Sequence, residues 1–205
     1  GWGLVGGLKN ADQILDYFEQ HWTDQGQRVD VAIEWFFSGV DSSGHVAGWA
    51  YADVAGGGFY TDRDWTDYFH NETNDDNIMT FVDANITAGR PVGLWVLNGF
   101  NHEVTCWGFN YDPAKVPGAT DYYLGVWISD SDDNKGTADG YTAPNALHYW
   151  NVVWDAGQSR WEMPDYGGPD LHILEAVSLD LYDAGNYVVN GDQTSVGQND
   201  NIAIS

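Results

Sequence analysis

Along the first part of the chain, apolar residues recur at helical spacing. Ala11, Ile14, Leu15, Phe18 and Trp22 fall at i, i+3, i+4, i+7 and i+11, the stripe of an amphipathic helix. Asn10 stands at its N-cap, with Gln13 placed to complete a capping box, and Asp24-Gln25-Gly26 closes it. A second, shorter helix is predicted over Val29 to Phe37, packing Ile33, Phe36 and Phe37, and residues 38 to 62 read as loop. Asp75 or Asp76 opens a third helix in which Ile78, Phe81, Val82 and Ile86 share a face. Gly89 stops it, and Pro91 prevents its continuation.

After Pro91 the period changes from helical to alternating. Val92 to Leu97, His102 to Phe109, Tyr122 to Ser129, His148 to Asp155, Arg160 to Met163 and Leu171 to Leu179 read as strands. Turn chemistry separates them: Asn98-Gly99, Pro113 through Gly118, Ala156-Gly157-Gln158 and Gly167-Gly168-Pro169. Helices first and a run of antiparallel strands after them is the pattern of an α+β domain. It covers residues 1–183, and the Gly-, Asn- and Asp-rich stretch 184–205 reads as a polar terminal segment or linker. No repeat recurs at solenoid spacing.

Composition narrows the function classes. Seven basic residues against 31 acidic ones give a formal net charge of −24 on 205 residues. Phosphate binding needs a cationic footprint, so nucleic acid is disfavoured as a partner, as are anionic membrane surfaces. No apolar run approaches the ~20 residues of a membrane span, so no membrane insertion is expected. With 43% apolar residues and 11 Trp, 12 Tyr and 8 Phe, the chain has the material for a packed core. One cysteine, Cys106, excludes an intrachain disulfide and any Cys-based zinc cluster. The start at Gly1, without Met or signal peptide, points to a processed or truncated product.

Several candidate sites dissolve on inspection. Gly1, Gly3 and Gly6 spell G-x-G-x-x-G, but no strand precedes them. His102-Glu103-Val104-Thr105-Cys106 lacks the second His of H-E-x-x-H and lies in a strand. Asp130, Asp132 and Asn134 occupy positions 1, 3 and 5 of a calcium loop, yet Lys135 replaces its Gly and Tyr141 its twelfth-position Glu. That stretch reads as a solvated acidic loop, and no cofactor is expected. The tryptophans invite a sugar-stacking reading, but they are scattered singly and mostly fall on core faces.

One pair survives. If the strands around the Pro113–Gly118 connection pair about residue 116, position 102 faces position 130, with a slip of two still open. An imidazole then stands beside a carboxylate at one end of a sheet, as a general base requires. Cys106 cannot be its nucleophile: four residues along one strand is about 13 Å. No G-x-S-x-G elbow supplies a serine instead.

The segments Asn101-His102-Glu103-Val104-Thr105-Cys106-Trp107-Gly108 and Trp127-Ile128-Ser129-Asp130-Ser131-Asp132-Asp133-Asn134 resemble the immunoglobulin-G-degrading cysteine endopeptidases. These are secreted enzymes of the papain superfamily. The resemblance extends over roughly residues 1 to 180, with Ile14 to Trp22 similar to the helix after the family's active-site helix. It implies a papain-like α+β fold, N-terminal helices packed on a C-terminal antiparallel sheet, and a secreted or cell-surface protein acting on a protein substrate. It implies His102 as catalytic histidine, with Asp130 and Asp132 as the functional aspartates and Asp130 the better placed to orient the ring. The family's nucleophile, a cysteine opening a helix, would lie about a dozen residues before Gly1. Residues 1–183 would then be a peptidase domain without that helix, and its own N-terminal segment would be a partner. The alternative is a non-catalytic acidic extracellular module that binds glycan or protein.

Overall fold

The computed structural model describes residues 29–39, 57–98, 101–130, 147–166, 170–180 and, for backbone alone, 202–204. The chain divides into two compact units, residues 1–70 with 180–187 and residues 71–179 with 188–205. The helix expected over residues 10 to 22 lies outside the described residues.

In the first unit, helix α1 (Val29–Ser38) buries Val31, Trp35, Phe36 and Phe37 against Tyr60. Successive backbone amides then lay the returning chain along its last turn: Phe59 N–H donates to Phe36 C=O at 3.0 Å and Tyr60 N–H to Phe37 C=O at 2.9 Å. The second unit contains α2 (Ile78–Thr87) and most of the sheet. A single turn of tighter helix precedes α2, where the Asn74 side chain accepts from Asp76 N–H. Gly89 ends α2 with φ +81°, a backbone angle that costs glycine least.

The sheet comprises β1 (Phe69–Glu72), β2 (Val92–Leu97), β3 (Asn101–Tyr111), β4 (Tyr123–Ser129), β5 (His148–Asn151), β6 (Val153–Asp155), β7 (Arg160–Glu162), β8 (His172–Leu179) and β9 (Ile202–Ile204). Its order is β5-β4-β3-β2-β8-β7-β6, with β1 on β8 and β9 on β3. The two ends of that order, β5 and β6, are consecutive in sequence and separated by Val152 alone. One residue cannot span an open sheet, since a residue extends the chain by only ~3.3–3.6 Å. The strands therefore curl into a nearly closed barrel-like sheet. Val152 is buried at the join, and its N–H reaches Leu124 C=O on β4 at 3.2 Å.

This curling overturns the expected fold class. The fold is mostly antiparallel β, and the described residues contain two α-helices, which do not form a layer on the sheet. A curled sheet covers much of its own inner face: Leu94 and Val96 of β2, Val104 of β3, Ile128 of β4, Trp161 of β7 and Ile173 of β8 share one buried cluster. Of the described helices, α2 joins that cluster, through Ile78, Met79, Val82 and Ile86. The papain-like arrangement of N-terminal helices packed on a C-terminal sheet is accordingly not the architecture of this chain. The strand expected over His148 to Asp155 is likewise two strands, because the chain leaves one sheet edge and joins the other at Val152.

Candidate active site

β3 is the strand that positions the site. Its inward residues alternate as His102, Val104 and Cys106, opposite Val96, Leu94 and Val92 of β2. Val104 and Cys106 are buried in the core, whereas His102 lies near the beginning of the strand, with 17% of its side chain exposed. Asp130 follows directly after the last residue of β4 and is 10% exposed at its side chain. His102 Nε2 and Asp130 Oδ1 lie 2.7 Å apart.

The register that brings them together differs from the one loop length suggests. Thr105 faces Ser129 and Cys106 faces Ile128, two positions away from the expected pairing. The strands run on to Tyr111 and Tyr123, and Asp112 N–H closes the connection on Tyr122 C=O at 2.8 Å, so the turn centres later than residue 116. Bulges between Cys106 and Gly108 and between Asn110 and Tyr111 offset one another, so Thr105–Ser129 keeps the register set at Tyr111–Tyr123. His102 consequently reaches Asp130 across the strand ends rather than from a directly opposed position. Asp132, the other aspartate expected here, lies outside the described residues, as does the rest of the Asp130–Asn134 calcium-like stretch.

The carboxylate is held at both oxygens. Tyr166, in the turn after β7, donates its phenolic O–H to Asp130 Oδ2 while His102 engages Oδ1. A buried carboxylate needs such partners, because desolvation without them is costly. Tyr166 has no signal in the sequence: it follows Pro164-Asp165 in a turn, and the contact joins segments 36 residues apart. Since a carboxylate only accepts, His102 carries its proton on Nε2 when neutral, and Nδ1 is the basic nitrogen.

Cys106 is in a different environment. It is fully buried, its Sγ lies 3.3 Å from Gly108 C=O, and burial pushes its thiol up to about 12. Burial therefore disfavours the thiolate at neutral pH. Among the described residues no group of three or more His, Cys, Asp or Glu is placed to hold a metal ion. No described helix is long and apolar enough to cross a membrane. The described tryptophans divide by environment: Trp35 and Trp161 are wholly buried, while Trp107 is exposed on β3 and donates Nε1–H to Ser129 Oγ at 2.8 Å.

No protein-family model matches the chain, and no curated protein matches it. What the arrangement can do follows from its parts. An imidazole with one nitrogen fixed by a buried, doubly hydrogen-bonded carboxylate can accept a proton on the other nitrogen and return it. Cys106, buried four positions along the strand, is not placed to serve it as a nucleophile.

Proposed function

We propose that this chain is the base-bearing part of a secreted cysteine endopeptidase of the immunoglobulin-G-degrading type, hydrolysing peptide bonds in a protein substrate. The nucleophilic thiol comes from outside these 205 residues. The observation that carries this reading is the His102–Asp130 hydrogen bond of 2.7 Å, formed by the motif residues of that family. Nδ1 of His102 takes the proton of the thiol, and the thiolate adds to the scissile carbonyl carbon. The imidazolium then protonates the leaving amine, and water, deprotonated by the same nitrogen, releases the acyl group from sulfur. Asp130 keeps the Nε2 proton in place throughout and stabilises the imidazolium.

The test compares this chain with the same chain joined to its encoded upstream sequence, on denatured and folded protein substrates. The expected result is hydrolysis only when the upstream cysteine is present, lost on its replacement by alanine. Hydrolysis by the bare chain, or hydrolysis that survives the cysteine replacement, overturns the proposal. Inactivity of the complete protein on all substrates also overturns it, and favours the acidic binding module in its place.

A further inference from the structure

We propose that Tyr166 is a positioning residue of this site, fixing the plane of the Asp130 carboxylate and so holding His102 as its Nε2–H tautomer. The inference rests on the reading of His102 as the general base. The torsion that orients a carboxylate is broad and two-fold, so a hydrogen bond at Oδ1 alone does not set the plane of the group. A donor at Oδ2 adds the second point that defines the plane, and Tyr166 donates there.

Tyr166 is itself braced through its backbone and its ring. Tyr166 is buried, and its backbone N–H donates to Met163 C=O at 3.0 Å. Met163 in turn is tied to Leu171 by a 2.9 Å backbone bond. The Tyr166 ring meets Trp150 of β5 edge-on, with centroids 5.2 Å apart. The chain from Tyr166 through Asp130 to His102 Nε2 therefore runs from a braced core turn to an imidazole at the end of β3. A core-filling tyrosine would need only the ring; this one also directs its hydroxyl at the second carboxylate oxygen.

Tyr166→Phe separates the two roles, because it keeps the ring and its Trp150 contact and removes the donor. Long-range proton–nitrogen NMR on the intact chain reads the His102 tautomer without any need for peptidase activity. The wild-type protein is expected to show Nε2–H alone in the neutral ring, and the variant a mixture with Nδ1–H. In the complete protein with its upstream cysteine, the same variant should lower kcat about tenfold and leave KM unchanged. Where Tyr166→Phe perturbs folding, 3-fluorotyrosine at position 166 provides the second measurement. Its more acidic hydroxyl weakens Asp130 as an acceptor and should move the His102 Nε2 proton upfield. An unchanged tautomer in the folded variant, or an unmoved Nε2 proton with fluorotyrosine, overturns the proposal. A tautomer shift in a complete protein that hydrolyses nothing upholds the positioning role and removes the peptidase reading.

Discussion

Two titratable side chains on one face of β3 lie four positions apart, and their surroundings give them opposite chemistry. His102 lies near the strand's start, partly exposed and hydrogen-bonded to a carboxylate. Cys106 sits in mid-strand with no exposure and a thiol raised by desolvation. The fold gives one a carboxylate partner at a strand end and makes the other a small core residue. The difference teaches that reactivity on a strand depends on distance from its end. At the end the alternation still points a side chain inward, but the neighbouring strand has run out and polar partners from loops can reach it.

The sharpest way to break this contrast is to exchange the weight of the two positions. Under the proposed peptidase reading, in the chain joined to its encoded upstream sequence, His102→Ala should reduce peptide hydrolysis by at least ~10³-fold in kcat/KM, since the base would act in both half-reactions. Asp130→Asn should cost less, about a hundredfold in kcat, because it offers Nε2 an amide that can present either an acceptor or a donor. Should Asp130→Asn act wholly through KM, Asp130 would be a substrate contact and not the orienter of His102.

At the other position the expected effects fall on stability. Below pH 9 both folded and unfolded states keep the Cys106 proton, so the thiol adds no pH dependence. Between 9.0 and about 12 the unfolded chain releases that proton and the folded chain retains it. Folded stability should therefore fall as pH rises through this window, and denaturant titrations of Cys106→Ala should show a shallower decline. The smallest effect is that of the same substitution at neutral pH. Cys106→Ala should cost about 1 kcal/mol of stability and leave hydrolysis unchanged. Folded wild-type protein should likewise resist thiol reagents until denaturant is added; fast labelling would show that the core around Cys106 opens.

Much of the second unit was legible in the residues. β2 spans the stretch from Val92 to Leu97 that alternation predicts, and α2 carries the apolar face of Ile78, Val82 and Ile86. The Asn101–Tyr111 strand and the carboxylate at the end of β4 were legible for the same local reason. What depended on distant contacts was not. The break at Val152 lies within an apolar run and reflects the meeting of two sheet edges, which no local pattern encodes. The same curling hid the fold class, since alternating strands look alike whether helices or other strands cover them. Tyr166 was hidden twice over: a lone tyrosine in a turn carries no periodic signal, and its partner is distant in the chain. The pairing lies two positions from the one that loop length suggests because the strands run on to Tyr111 and Tyr123 and the turn centres later than residue 116, which loop composition alone does not encode.

The central position of β2 has a consequence for how the protein is made. Its Val92 pairs with Cys106 on one side and with Ser178 on the other. As the chain leaves the ribosome, β3 can fold back on β2 at once, while the other flank of β2 waits until β8 has been synthesised. During that interval a strand bearing Val92, Leu94 and Val96 exposes unpaired backbone to every neighbouring nascent chain. Pairing of this kind cannot begin until its distant strand has been made. Expression at low temperature or with a chaperone that shields strand edges should raise the soluble yield, and truncation before β8 should give aggregates in place of a smaller folded product.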